Sequence, residues 1–252
     1  MEINGKKVVV IGGASGMGRA SAELLHERGA DVAILDREGS DGKTVAEAVG
    51  GSFYPVDVTD FAGTEETLQS AVDKLGGLHV VITTAGGGIA KRTMTKNGPH
   101  DLESFQSVID LNLIATFNIS RLAAAHMAKN EPEDEERGVI INTASIAAFE
   151  GQIGQVAYTA AKAGIAGMCL TMARDLGSLG IRVLAIAPSL FATGLTQGIP
   201  DEFAAALTKD AAFPKRLGRP EEYAKLVAAI VDNPMLNGQC LRLDAGQRFA
   251  PK

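Results

Sequence analysis

Short runs of apolar, often β-branched residues recur along the chain, separated by longer stretches of helical pattern. The runs Lys7–Ile11, Asp31–Leu35, Gly51–Pro55, His79–Thr83, Gly138–Thr143, Ile181–Ile186 and Gln239–Leu243 predict strands. Their apolar character points to burial on both faces, and strands alternating with helices predict βαβ units feeding a parallel sheet. The expected fold is a single doubly wound, Rossmann-type α/β domain over residues 1–252 with a parallel seven-stranded sheet. Two helical stretches, Leu111–Met127 and Ala157–Leu170, are apolar or small on nearly every side. That is more than one sheet face can cover, so association with further copies of the chain is expected.

Composition narrows the partners. A chain of 252 residues, 46% of them hydrophobic, can bury one large core. A formal charge of −6 disfavours nucleic acid and anionic membrane surfaces, both of which need a basic face. The opening Met1–Val10 has no apolar signal core, and no uninterrupted apolar run approaches the roughly 20 residues of a membrane span. A soluble cytoplasmic protein, with no membrane partner, is expected. Cys169 and Cys240 lie far apart in apolar stretches, as core residues rather than a disulfide, and no metal site is expected among them and the scattered His26, His79, His100 and His126. The acidic segment Asn130–Arg137 has the pattern of a solvated surface loop.

Candidate chemistry begins after the first strand, where Gly12, Gly13, Ala14, Ser15, Gly16, Met17 and Gly18 turn directly into a helix. Glycines there let backbone N–H groups approach a pyrophosphate at a helix N-terminus, although glycine-rich turns also arise for packing reasons alone. Asp36 ends the second strand, about 20 residues on, where a carboxylate accepts hydrogen bonds from an adenosine ribose and repels a 2′-phosphate; a surface or capping role is the alternative. Asp57 follows the third strand and suits either an adenine-side position or a turn cap.

Tyr158 and Lys162 form an i,i+4 pair on one helical face. Bringing a tyrosine from its ordinary pKa of about 10 to near 7 takes roughly 4 kcal/mol of preference for the phenolate, which a nearby ammonium and an oxidised nicotinamide can supply. Such a pair is commonly only a solvated face. Ser145, however, follows a buried strand at the sheet end where ligands bind, placing a hydroxyl within reach of a substrate oxygen. Asn112 interrupts an apolar helix and needs a partner, either a backbone group or a proton-relay water.

Taken together, the glycine turn, Asp36, Asn112, Ser145, Tyr158 and Lys162 resemble the short-chain dehydrogenase/reductase family over essentially the whole chain. The resemblance implies a catalytic tetrad of Asn112, Ser145, Tyr158 and Lys162, with Lys162 also on the nicotinamide ribose. It implies an NAD site at Gly12, Ser15, Gly16, Met17, Gly18, Asp36, Asp57, Val58, Ala85, Gly86, Tyr158, Lys162 and Thr193. Ser145, Gln155, Tyr158 and Phe191 are the implied substrate contacts. Within the family, Gly138–Gln152, Arg182–Pro188, the acidic Asn130–Arg137 insertion and Phe213–Gly218 look most like type 2 3-hydroxyacyl-CoA dehydrogenases, also described as 17β-hydroxysteroid dehydrogenases. A homotetramer acting on a small-molecule substrate, an acyl-CoA, in fatty acid metabolism is the implied setting. A 3-oxoacyl carrier-protein reductase, a hydroxysteroid dehydrogenase and a dinucleotide-binding scaffold without catalysis are the alternatives.

Two positions depart from the family pattern. Thr84 stands where an asparagine is usual, so an amide hydrogen bond is replaced or lost, and Ser189 stands where glycine usually follows Pro188. Thr193 suits the nicotinamide carboxamide or a turn cap. The segment from Ser189 to Arg219 is long for a βα connection and predicts a substrate lid. Its Leu190, Phe191, Leu195, Ile199, Phe203, Leu207 and Phe213 are expected to line an elongated pocket, with Lys215, Arg216 and Arg219 available for CoA phosphates. The alternative is that the apolar residues only pack the lid down and the basic ones face solvent.

Overall fold

The computed structural model describes residues 1–194 and 201–251. In chain order the elements are β1 (Lys7–Ile11), α1 (Gly16–Glu27), β2 (Asp31–Asp36), α2 (Gly42–Ala48), β3 (Ser52–Pro55), α3 (Phe61–Leu75) and β4 (Val80–Thr83). A short hairpin of β5 (Met94–Thr95) and β6 (Gly98–Pro99) follows, then α4 (Leu102–Ile109), a π-helical turn (Asp110–Ile114) and α5 (Ala115–Met127). The chain continues as β7 (Gly138–Thr143), α6 (Val156–Leu176), β8 (Ile181–Pro188), α7 (Asp201–Leu207), α8 (Pro220–Asp232) and β9 (Cys240–Leu243).

The large sheet has the order β3-β2-β1-β4-β7-β8-β9 and every pairing in it is parallel. Alternation within each strand divides the core. Val8, Val10, Val139 and Ile141 face the side of α1, α2 and α8, while Val9, Ile11 and Ile140 face α3 and α5. Both sets are almost wholly buried. That explains runs apolar at consecutive positions, each fully buried Val or Ile contributing about 1.5–3 kcal/mol. Six of the seven predicted strands keep their limits to within one residue; β8 runs on to Pro188. β3 starts at Ser52 rather than Gly51, whose N–H bonds the Ala46 carbonyl to close α2.

Two expectations need correction. The acidic segment Asn130–Arg137 is not simply solvated. Glu133 and Glu136 form a tight bridge, and the nearly buried Glu136 carboxylate accepts from Arg182 Nε at 2.7 Å. The Arg182 guanidinium also donates to the carbonyls of Ile230, Val231 and Leu236, capping the end of α8. The segment is thus an anchor between β8 and α8, and composition alone does not show which of several acids turns inward. Second, read as helices rather than as uninterrupted runs, Leu102–Met127 and Val156–Leu179 reach mean hydropathies of 1.3 and 1.2, long and apolar enough to cross a membrane. Both pack along one flank against the sheet or each other, but Ile114, Phe117, Val156 and Leu170 stay exposed. Cys169 is buried and Cys240 half-buried, both free thiols raised by burial, to about 12 and about 11.

Candidate active site

The chain order reverses between β1 and β4, and such a reversal opens a crevice at the carboxyl ends of a parallel sheet. Gly12 and Thr84 meet there. Thr84 Oγ1 donates to the carbonyls of Gly12 (3.0 Å) and Ile11 (3.2 Å), and its N–H bonds Ile11 O. The unusual threonine therefore replaces the family's amide with a hydroxyl that ties the two strand ends. Gly18 and Gly12 owe their smallness to this packing. A Cβ on Gly18 would lie 2.2 Å from Gly12 O, and one on Gly12 2.6 Å from Thr84 Oγ1 and Ala85 N. Gly16, at φ +52°, makes the turn into α1. Ser15 caps α1 without a side-chain bond, and the N–H groups of Gly16, Met17 and Gly18 have no acceptor among the described residues. Open donors at the positive end of a 12-residue helix fit a pyrophosphate.

Asp36 stands beside this turn. Its Oδ2 accepts from Ala14 N at 2.9 Å and its Oδ1 from Arg37 N at 2.7 Å, so the carboxylate is fixed at the rim. Asp57 takes the capping role, its Oδ1 accepting from both N–H and hydroxyl of Thr59, which holds its carboxyl below the usual range. Val58 is buried among core side chains, leaving only its main chain for a ligand. Thr193 lies over the glycine turn, its methyl 3.0 Å from where a Gly16 Cβ would sit.

The second half of the crevice is built by β7 and α6. Ser145, in extended backbone, caps the short helix Ile146–Ala148 through Ala147 N. The Ser145 hydroxyl lies near enough to the Tyr158 phenol to pull its pKa down, against a larger upward push from burial. Lys162, 4% exposed, donates to Thr143 O at 2.8 Å and lies 5.6 Å from the Tyr158 ring centre. Burial lowers this ammonium to about 8. Ser145, Tyr158 and Lys162 are thus brought together as expected. Asn112 finds backbone partners, one of its two expected alternatives. Its amide donates to Val108 O (2.8 Å) and Gly87 O (2.7 Å) and accepts from Gly87 N (3.2 Å). The side chain is spent on backbone, inside a π turn, and holds the Ala85–Gly88 loop against the site as a positioning residue. A Cβ on Gly86 would fall 2.7 Å from Asn112 Oδ1 and 3.3 Å from Lys162 Nζ, so glycine is needed behind the lysine.

Gln155 caps α6 at the rim, where its Oε1 accepts from Gln152 N. Phe191, expected to touch substrate, is buried instead with the core, its ring over Gly218. The stretches of chain at Leu190–Ala192 and Gly218 meet, since Ala192 N donates to Gly218 O and Gly218 N to Leu190 O. Ser189 needs no glycine here, because its φ is not positive. Phe213 points to solvent at 84% exposure, and Leu195, Ile199 and the Phe203 side chain lie outside the described residues. Arg216 pairs with both carboxylate oxygens of Glu222, while Lys215 and Arg219 are exposed. Thr143 and Tyr223, whose hydroxyls meet at 2.7 Å, were not legible as site residues. Only the place of Thr143 at the end of a buried strand hinted at it.

Residues 6–204 match the family model of the short chain dehydrogenases. The chain belongs to the short-chain dehydrogenase family. It is 49% identical over 248 residues to the 3-hydroxyacyl-CoA dehydrogenase type-2 of Drosophila melanogaster, covering 96% of this chain and 97% of that protein. With the human 3-hydroxyacyl-CoA dehydrogenase type-2 it shares 47% over 254 residues, covering 99% and 97%. The 3-oxoacyl-[acyl-carrier-protein] reductase of Thermotoga maritima is more distant, at 31% over 254 residues and 98% and 99% coverage. The crystal structure of a 3-hydroxyacyl-CoA dehydrogenase type-2 from Mycobacterium avium superposes with a TM-score of 0.94 at 41% identity, covering 100% and 98%. This chain is accordingly a nicotinamide-dependent oxidoreductase of Rossmann-like fold.

Lys162 imposes a cost on the cofactor-free fold. A lysine lowered from 10.5 to about 8 by folding binds its proton less readily folded than unfolded, so stability rises with pH between those values. Below pH 8 the penalty is complete, about 3 kcal/mol. Lys162→Met should raise the unfolding free energy at pH 7 by about 2 kcal/mol, allowing for the lost bond to Thr143 O, and by little near pH 10. Urea denaturation at both pH values checks this; a variant less stable than the parent at pH 7 would show that the ammonium is well solvated.

Proposed function

We propose that the chain is an NAD(H)-dependent dehydrogenase interconverting 3-hydroxyacyl-CoA and 3-oxoacyl-CoA, with Tyr158 as the proton-transferring group. The observation that carries the chemistry is the cluster of Ser145, Tyr158 and Lys162 at the crevice mouth. When bound, the nicotinamide supplies or accepts the hydride at the substrate carbon. In the oxidative direction the Ser145 hydroxyl holds the substrate oxygen and the Tyr158 phenolate oxygen takes its proton. In reduction the Tyr158 O–H returns it. The Lys162 ammonium stabilises the charged phenolate and retains two N–H donors for a ribose, since one of its three is spent on Thr143 O. Burial holds the phenol up and the Ser145 hydroxyl draws it down, and the positive charge of Lys162, 5.6 Å from the ring centre, favours the phenolate further.

Asp36, pinned at the rim, supports NAD over NADP, because a 2′-phosphate would meet its carboxylate. The substrate class is supported by the type 2 relatives; an open cleft of about 620 Å³ lies beside the first turn of α6, lined by Lys91, Arg92, Met94, Gln152, Ile153 and Val156 but not by Ser145, Tyr158 or Lys162. The carrier-protein reductase reading is weaker on identity and on the net acidity of the chain, which an acidic carrier would meet unfavourably. A homotetramer of closed symmetry is supported by the apolar side chains left exposed on α4, α5 and α6, among them Leu102, Phe117 and Leu170.

Three outcomes follow. Titration should show NADH binding at least about tenfold tighter than NADPH, a discrimination of about 1.4 kcal/mol; tighter NADPH binding would overturn the cofactor assignment and implicate Arg37. Acetoacetyl-CoA should be reduced with far higher kcat/KM than acetoacetate, and Tyr158→Phe should abolish turnover of both while NADH still binds. Equal efficiency for the two substrates removes the acyl-CoA reading, and turnover of the variant within tenfold of the parent removes Tyr158 as the proton donor. Light scattering at micromolar concentration should give four chains per particle, whereas a monomer refutes the assembly.

A further inference from the structure

We propose that Tyr223 and Thr143 are positioning residues for Lys162, holding through the sheet the carbonyl that orients its ammonium; this rests on the reading of Lys162 as part of the proton-transfer site. Thr143 is the last residue of β7, and its two polar groups serve different layers. Its carbonyl accepts from Lys162 Nζ at 2.8 Å, the ammonium's one hydrogen bond among the described residues. Its hydroxyl donates to Thr83 O at 2.6 Å. A carbonyl only accepts, so the single proton of Thr143 is spent there, and the Tyr223 hydroxyl at 2.7 Å must be the donor to Thr143 Oγ1. The directions are therefore settled: Tyr223 to Thr143, Thr143 to Thr83, Lys162 to Thr143.

These contacts arrive from opposite faces. Tyr223, wholly buried on α8, packs with Val139 and Ile141 on the α1 side, whereas α6, which carries Lys162, contributes Met172 and Ala173 to the core beneath the other face. Thr143 is where the layers touch the same residue. The Thr143–Ala144 peptide is held on its N–H side by Ala144 N donating to Ile186 O at 2.8 Å, and the clamping of the Thr143 side chain between β4 and α8 adds to the hold on the lysine's acceptor. Burial of Tyr223 pushes its hydroxyl far up, keeping it a donor at every working pH. The groups facing Lys162 are Tyr158 on its own helix, Thr143 from β7, and Asn112 and Gly86 beyond them. Burial is the influence that sets its pKa, with no charged side chain contributing among the described residues. The Thr143 carbonyl is thus the polar group through which the protein acts on the ammonium.

The test is the NMR titration of the Lys162 side chain in cofactor-free protein, for the parent and for Tyr223→Phe, Thr143→Val and Thr143→Ser, together with the pH dependence of kcat. A carbonyl acceptor favours the charged lysine, so loosening it lowers the pKa further. Thr143→Val should move the midpoint downward from about 8 and reduce kcat about tenfold. Tyr223→Phe should move both the same way by less, and Thr143→Ser, which keeps the hydroxyl, should return both to the parental values. Midpoints that stay put in Tyr223→Phe and Thr143→Val overturn the proposal, whatever the melting temperatures do. Should Thr143→Val fail to fold, Tyr223→Phe decides alone, because its ring still fills the same space. Parental kcat in Lys162→Met would defeat the underlying reading of Lys162 instead, and is distinguishable because that variant leaves Thr143 and Tyr223 untouched.

Discussion

A lysine ammonium taken almost completely out of water must find acceptors inside the protein, and in this chain that requirement organises the site. The acceptor is the carbonyl of Thr143, at the end of the central strand β7, and the donor comes from the second turn of α6. Placing one against the other fixes how α6 lies on the sheet. It also places Tyr158, one turn earlier, beside Ser145. The loop after β4 must then pass behind the lysine with no side chain at Gly86, and the π turn lets Asn112 hold that loop by its backbone.

The dinucleotide side of the crevice obeys a different constraint, close packing of backbone. Gly12 and Gly18 are glycines because α1 begins within van der Waals distance of β1 and of Thr84. The N–H groups of Gly16, Met17 and Gly18 have no acceptor among the described residues, as at the start of any helix, and the glycines let a ligand approach them. Substituting threonine for asparagine at position 84 is tolerable for the same reason, since a hydroxyl at this distance reaches both Ile11 O and Gly12 O.

Electrostatics of the remaining chain are mostly local braces. Arg182 joins the acidic segment to the end of α8. Arg242 and Arg248 share the carboxylates of Glu150 and Asp244, which fastens the C-terminal strand to the turn that follows Ser145. Glu150 Oε2 also accepts from Phe249 N, and Gln247, 2% exposed, donates to Leu207 O at the end of α7. The turn after β7 and the end of α7 are therefore both tied to the segment that leaves β9.

Much of this was legible in the chain itself. Strand positions followed from apolar runs, because burial on both faces leaves no room for polar alternation, and the parallel order followed from helices between them. Helical spacing put Tyr158 and Lys162 on one face and Ser145 followed a buried strand, but that they form one site came from the resemblance of the whole set to a family. What tertiary structure decided were the long-range pairings. Phe191 turned to the core although its neighbours suggested a pocket, Glu136 turned inward from a charged run, and Arg216 found Glu222. Asn112 could be seen to need partners but not which, and nothing in the sequence tied Tyr223 to a strand 80 positions away. Periodicity records which side of an element is buried. The partner across the core depends on how elements from distant parts of the chain are superposed, a property of the packed sheet and its helices and not of any local stretch.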